Sequence, residues 1–257
     1  MSLDQIKKIR ELTGAGIVDV KEALAEAAND EAKAIEILRK GGQQLAAKRS
    51  ERATKEGVIA VAEAAGQVAF VKLTCETDFV ARSADFQTAA QDLAVEALEL
   101  QPEQLQERAE TIIQTQLIVK IGENIQFGGS QVLSGATIGH YLHSNKKVAA
   151  AVSLAKGSAE VARDIAMHVA ALKPEYLLPA DVPADITAKE KEIYLEQLKN
   201  EGKPAELLDK IVSGKLNKFY SEVCLVKQTF VKDDKLTVEQ YLAANQAEIA
   251  GFKYLSL

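Results

Sequence analysis

The architecture is set by a helix that occurs twice, as AQDLAVEALELQPE at residues 90–103 and as ARDIAMHVAALKPE at residues 162–175. The two stretches align at an offset of 72 positions. The identical pairs include Asp92/Asp164, Ala94/Ala166, Leu100/Leu172, Pro102/Pro174 and Glu103/Glu175. Apolar residues recur in both at the period of an amphipathic helix, and a Pro-Glu pair ends each one. The sequence therefore predicts a duplicated core.

A β-hairpin is predicted before each copy of this helix. Alternating apolar residues at Val58–Glu63 and Val68–Thr74 indicate the first hairpin, and those at 138–142 and 148–154 indicate the second. The strands align at an offset of 80, so the first copy has eight more residues between strand and helix, within Cys75–Arg82. A loop that is longer in only one copy of a repeat indicates a functional segment. The alternative is neutral drift in loop length.

Three short helices are predicted within residues 1–42. Ser2 and Gln5 have the spacing of a capping box, and Gly41-Gly42 is expected to end the third helix. Residues 43–56 are polar and mixed in charge, which indicates a linker. That linker is either a solvated connector or a basic contact patch.

The C-terminal part predicts a helical hairpin within residues 186–218, joined at Asn200–Pro204. Such a hairpin can be stabilised by the contacts between its own two helices alone. It can therefore project from the rest of the protein and offer a surface for self-association. Short strands are expected at 223–226 and 229–231, and a terminal strand at 251–255 is expected to join the sheet of the second repeat.

Composition narrows the class of protein. The chain has 257 residues, with 31 Lys+Arg and 37 Asp+Glu, so its net charge is −6, which argues against a nucleic-acid sheath. Hydrophobic residues make up 47%, as in globular proteins, and there is no apolar run of about 18 residues that would span a membrane. Cys75 and Cys224 indicate ordinary reduced thiols, so a cytoplasmic protein is expected.

Phe79 is the most informative single residue, because it is an aromatic side chain in the additional loop. It either folds back into its own core or stays exposed as an anchor for a partner's pocket. Asp78 beside it could accept hydrogen bonds from backbone amides of that partner.

The histidines give little indication of a metal site. His140 and His143 have an odd spacing, which points them to opposite faces of a strand. His168 lies among apolar residues and is expected in the core. The chain contains no GxxxxGK[ST], HExxH, GxSxG or CxxC string, so the sequence offers no catalytic set.

Four strings resemble the translation elongation factor Ts family, in that family's order and across essentially the whole chain. They are RELTGAG at 10–16, CETDFVA at 75–81, VKIGENI at 119–125 and IAMHVAA at 165–171.

The resemblance implies an α+β fold with an N-terminal three-helix ubiquitin-associated-like domain and a duplicated α/β core with antiparallel sheets. The implied parts are the helical domain at 1–42, a linker at 43–56, core subdomain N at 57–136 and core subdomain C at 137–257, with the protruding hairpin at about 186–218.

The implied function is guanine nucleotide exchange on elongation factor Tu, in its GDP-bound and nucleotide-free forms, with no cofactor, nucleic acid or membrane. The implied partner-binding residues that disturb the Mg²⁺ site of the GTPase are Thr77, Asp78, Phe79 and Val80. Further implied contacts are Gly14, Ala15, Gly16 and His143. Two other classes of protein stay open at the level of sequence: a binding scaffold without exchange activity, and an enzyme that turns over a small molecule.

Overall fold

Two three-stranded antiparallel sheets and eleven α-helices make up the part of the chain that the structure, a computed structural model, describes: residues 1–201 and 204–257. The predicted α+β class is confirmed. The chain divides into two compact units. The first consists of Met1–Val132, Leu142–Ala149 and Leu255–Leu257, and the second of Leu133–Tyr141 and Ala150–Tyr254. None of the described helices is long and apolar enough to cross a membrane.

Three helices open the first unit: α1 (Leu3–Thr13), α2 (Ile17–Glu26) and α3 (Glu31–Arg49). The predicted capping box is confirmed, because Ser2 and Gln5 exchange side-chain-to-backbone hydrogen bonds of 2.9 and 3.1 Å. The three helices enclose a small apolar cluster of their own, in which Ile9, Val20 and Leu24 are fully buried.

The third helix does not end at Gly41-Gly42, as the sequence predicted, but continues to Arg49. A Cβ on Gly42 would come within 2.5 Å of the carbonyl oxygen of Gln114 and of a methyl carbon of Val119. A Cβ on Gly41 would meet no atom within 4 Å. Gly42 therefore lets α3 pack at backbone distance against the core, and this contact outweighs the tendency of glycine to interrupt a helix.

The first sheet has the order β1-β2-β3. Its strands are β1 (Glu56–Ala64), β2 (Gln67–Cys75) and β3 (Ile125–Ser134). β1 and β2 form the predicted hairpin, in antiparallel register from Glu56 opposite Cys75 to Ala64 opposite Gln67. The helix α5 (Ala84–Glu96) packs across both strands and buries Phe86 and Leu93.

The chain between α5 and β3 forms a second helical layer that the sequence did not reveal. It consists of α6 (Pro102–Ile112), one π-helical turn (Ile113–Leu117) and α7 (Ile118–Ile121). The strand β3 was not predicted either. Inside β3, Gly129 has a positive φ of 104°.

The second sheet has the order β4-β5-β6. Its strands are β4 (Thr137–Leu142), β5 (Val148–Lys156) and β6 (Glu248–Ser256), and α8 (Ala159–Leu172) follows β5. The predicted second hairpin and terminal strand are therefore confirmed. The short strands expected at 223–226 and 229–231 are wrong. The first region is a helix end followed by a 3₁₀ turn, and in the second Thr229 forms only an isolated bridge with Thr237.

The predicted helical hairpin is present as α9 (Ala184–Asn200) and α10 (Ala205–Val223), and α11 (Val238–Ala244) follows later in the chain. Leu198 and Val212 are the fully buried residues of its seam. Positions 202–203 of the turn predicted at Asn200–Pro204 lie outside the described residues. Self-association through this hairpin stays a prediction.

His168 is buried in the second unit, as predicted, and both its ring nitrogens are bonded. The backbone N–H of Val231 donates to Nδ1 at 3.1 Å, so the ring proton is on Nε2, which donates to Oε1 of Gln228 at 3.0 Å. Burial lowers the pKa of His168, and the hydrogen bond to Gln228 acts in the opposite direction. The imidazole is therefore a neutral structural bridge.

We expect Gly42→Ala to lower the free energy of unfolding by about 1–3 kcal/mol, the usual cost of overpacking, because its methyl group would collide with Gln114 and Val119. The neighbouring substitution Gly41→Ala is the matched control. It should raise the free energy of unfolding by about 0.5–1 kcal/mol, since the helix gains a better helix former in open space. Urea denaturation followed by circular dichroism measures both, and equal effects would contradict the close packing of α3.

We also expect His168 to make stability depend on pH. Its folded pKa lies below its unfolded value, so the stabilisation is complete above pH of about 6.5 and is lost as the pH falls towards the folded pKa. The loss is at most about 1.4 kcal/mol per pH unit, the limit for one proton. Urea denaturation between pH 7.5 and 5.0 should therefore give a steeper loss for the natural protein than for His168→Gln, and identical slopes would contradict a neutral buried ring.

Candidate partner-binding site

The connection from strand to helix is longer in the first repeat, as predicted. It has eight residues (76–83) between β2 and α5 but two (157–158) between β5 and α8. The difference is thus six residues rather than the eight expected from the alignment. The additional chain is not an irregular loop, since it contains a one-turn helix, α4 (Asp78–Ala81).

Local hydrogen bonds explain why α4 forms. Thr77 is its N-cap, and its hydroxyl oxygen accepts a 3.4 Å hydrogen bond from the backbone N–H of Val80. Asp78 and Arg82 form an ion pair of 2.9 Å at the spacing that places them on one side of the turn.

The two sides of α4 differ in what they contact. Ala81 is buried, and Val80 packs against the apolar core beneath the first sheet. Phe79 points the other way, and 83% of its surface is exposed. Of the two alternatives left open by the sequence, the exposed aromatic side chain is therefore the correct one. An exposed phenyl group beside a half-exposed carboxylate is suited to an apolar pocket bordered by hydrogen-bond donors.

The backbone at the start of α4 is held by an exchange of hydrogen bonds with residues 123–124. Oε2 of Glu123 accepts from the backbone N–H groups of Glu76 and Thr77, each at 3.0 Å. Oε1 of Glu123 accepts from the hydroxyl of Thr77 at 2.5 Å. In return, Oε1 of Glu76 accepts from the backbone N–H of Asn124 at 2.7 Å, and this bond lowers the pKa of Glu76. No local sequence pattern indicated Glu123 as part of this site, since its partners lie 46 and 47 positions away.

Cys75 lies at the end of β2, directly before this segment. Its thiol donates to the carbonyl of Thr77 at 3.2 Å. Burial, followed by the charge of Glu123, raises the pKa of Cys75 to about 12. The group is a neutral thiol at physiological pH and contributes packing, not nucleophilic chemistry.

The predicted contact residues 14–16 differ in how far they are exposed to solvent. Gly14 caps α1 with φ 69° and lies against Lys120, whose side chain would be 2.9 Å from an added Cβ. Ala15 is 1% exposed and belongs to the core of the first three helices, whereas Gly16 is exposed. The buried position of Ala15 is unsuited to direct contact with a partner.

Apolar side chains next to this loop are exposed instead. Leu12, Ile17 and Val18 all face solvent. The sequence contained a signal for Val18, because it falls outside the helical stripe that Val20 and Leu24 form, whereas Ile17 has the i, i+3 and i+7 spacing of that stripe.

His143 is exposed at the start of the turn between β4 and β5 and belongs to the first unit, as Phe79 does. A glutamine connects this turn to α4. Nε2 of Gln87 donates to the carbonyl of Ala81 at 3.2 Å, and Oε1 of Gln87 accepts from Nζ of Lys146 at 2.8 Å. The fold thus links the two predicted contact segments. Within residues 1–201 and 204–257, no group of three or more His, Cys, Asp or Glu could hold a metal ion.

Comparison with known proteins gives a consistent result over nearly the whole chain. The family model described as Elongation factor TS matches residues 76–257. Elongation factor Ts of Deinococcus deserti is 42% identical over 248 residues, which cover 93% of this chain and 94% of that protein. Elongation factor Ts of Hydrogenobaculum is 40% identical, covering 98% and 97% respectively. That of Vibrio parahaemolyticus is 42% identical, covering 98% and 89%.

The exposure of Phe79 can be tested by stability alone. Phe79→Ala should change the free energy of unfolding by no more than about 0.5 kcal/mol, since its ring contributes little to the core. Phe86→Ala, seven residues later and fully buried, should lower it by about 3–5 kcal/mol. Urea denaturation of both variants measures the difference, and a large loss for Phe79→Ala would mean that its ring is packed inward.

Proposed function

This chain belongs to the elongation factor Ts family, and we propose that it acts as that family's nucleotide exchange factor for elongation factor Tu. In the proposed reaction it binds the GDP-bound GTPase, disturbs the Mg²⁺ and phosphate site, and promotes the release of GDP so that GTP can bind. The exposed ring of Phe79 on its fixed turn is the observation that supports this mechanism best.

The thermodynamic requirement is a preference for the nucleotide-free GTPase. If the factor weakens GDP binding by a given ratio, GDP must weaken binding of the factor by the same ratio. The factor therefore makes and breaks no covalent bond, and it needs no nucleotide pocket of its own.

Phe79 fits this requirement because its ring is exposed in the unbound factor and can be buried only by contact with a partner. GTPases of this class hold GDP through phosphate-loop amides, a lysine and Mg²⁺, so a shift of that cradle removes the largest electrostatic contribution to GDP affinity. Burying a phenyl ring in the partner contributes about 1.5–3 kcal/mol, which offsets part of that loss. Since 83% of Phe79 is exposed in the unbound factor, most of this gain arises on binding.

Other parts of the chain are assigned by analogy with the family. We assign residues 1–42 as the ubiquitin-associated-like module, which together with core subdomain N (57–136) would bind the nucleotide domain of elongation factor Tu. Core subdomain C (137–257) would reach the partner's third domain. The Leu12, Ile17 and Val18 surface suits the first of these contacts, because it is apolar and exposed. The proposed setting is the cytoplasm, without direct nucleic-acid or membrane binding.

We expect Phe79→Ala to slow catalysed release of GDP by roughly 30- to 150-fold, the equivalent of about 2–3 kcal/mol at an interface hot spot. Stopped-flow release of a fluorescent GDP from elongation factor Tu, at subsaturating factor, measures this rate directly.

The matched control is Val95→Ala, which removes methyl groups from another exposed apolar side chain of the first unit and should leave the rate within about twofold. An unchanged rate for Phe79→Ala would remove its ring from the mechanism. If the unsubstituted protein binds elongation factor Tu but does not accelerate GDP release, it is a binding scaffold and not an exchange factor.

A further inference from the structure

We propose that Glu123 is a positioning residue that fixes the direction of α4 and, through it, the ring of Phe79. The proposal rests on the exchange function above, because its main readout is GDP release. Glu123 itself is not assigned a contact with the GTPase or its nucleotide.

The carboxylate of Glu123 binds three donors from two consecutive residues. These are the backbone N–H groups of Glu76 and Thr77 and the hydroxyl of Thr77, at 3.0, 3.0 and 2.5 Å. Charge-assisted hydrogen bonds to an ionised carboxylate are about twice as strong as neutral ones, and three in one place define an orientation as well as a position. The chain is therefore fixed where it enters α4.

The internal bonds of α4 are too few to do this. Its four residues form a single turn, closed by a 3.2 Å bond from the N–H of Ala81 to Thr77 and a 3.1 Å bond from that of Arg82 to Asp78. A single turn is marginal on its own, because nucleation fixes several dihedral angles for each hydrogen bond gained. The apolar contacts of Val80 and Ala81 hold the inner side, and Gln87 holds the carbonyl of Ala81 at the end of the turn, so the bonds of Glu123 are the ones that hold its start.

Glu123 is in turn held by a rigid frame. It follows Gly122, which ends α7 in the left-handed region with φ 84°, and it precedes the buried Asn124. The backbone N–H of Asn124 donates to Glu76, and Nδ2 of Asn124 donates to the carbonyl of Arg52 at 2.7 Å. The carboxylate therefore transmits the geometry of the core to α4 across 46 positions of sequence.

A double-mutant cycle with Phe79 separates positioning from a general loss of structure. Glu123→Ala should slow catalysed GDP release by about 10- to 100-fold, the range expected for misplaced groups. In the Phe79→Ala background the same substitution should have no further effect, because there is no ring left to direct. Glu123→Gln keeps an acceptor oxygen and should recover part of the rate. Glu99→Ala, which removes an exposed glutamate elsewhere in the first unit, is the control for charge and should have no effect.

A second measurement reports on α4 without the partner. In the unbound protein, backbone ¹⁵N relaxation should give lower order parameters for residues 78–81 in Glu123→Ala than in the natural protein, while β1 and β2 are unchanged. Thr77→Val, which replaces the hydroxyl with a methyl group and so removes both the bond to Glu123 and the cap bond from Val80, should have an effect in the same direction. If Glu123→Ala does not fold, Glu123→Gln and Thr77→Val provide both measurements.

The outcomes distinguish the two proposals. Additive effects of Glu123→Ala and Phe79→Ala, or unchanged order parameters in α4, would overturn the positioning role while leaving the exchange function intact. An unchanged release rate for Phe79→Ala would overturn the exchange mechanism through its ring, and the relaxation data would then decide by themselves whether Glu123 orders α4.

Discussion

The exposed ring of Phe79 depends on a backbone that is fixed by hydrogen bonds from outside its own helix. A single helical turn has little stability of its own, and an exposed phenyl group contributes nothing to the core. The exchange of bonds between residues 76–77 and 123–124 supplies what the turn lacks, because each segment provides a carboxylate for the backbone donors of the other. An apolar side chain can therefore remain in water in a defined direction.

The rest of the first unit supports this arrangement. The helix α5 and the first sheet bury Ala81 and partly bury Val80, and Gln87 holds the end of α4 and the turn that carries His143. Gly42 lets α3 pack against Gln114 and Val119, in the segment that leads to Glu123. The second repeat has the same strand-to-helix plan, but its two-residue connection leaves no room for such a turn.

Much of the fold could be predicted because its signals are local. The helices α5 and α8 and the two hairpins follow from periodicity, and the long connection at 76–83 follows from comparing the repeats. The end of the first helix was predicted wrongly, because α5 ends at Glu96 and Pro102 begins α6, where a proline is favoured at the first helical position. The continuation of α3 through Gly42 could not be predicted, since its cause is a contact with Gln114. Spacing could not decide the direction of Phe79, because an inward and an exposed phenylalanine have the same pattern. Glu123 was missed because its partners are 46 and 47 positions away.

In the proposed mechanism the ring of Phe79 moves from water into the GTPase when GDP leaves. The most direct measurement is ¹⁹F NMR of a fluorinated phenylalanine at position 79, with the H₂O/D₂O solvent isotope shift as the measure of contact with water. We expect a large isotope shift in the unbound factor, its loss on binding nucleotide-free elongation factor Tu, and its return when Mg²⁺ and GDP are added in excess. A ring that keeps its full isotope shift in the nucleotide-free complex would contradict the account.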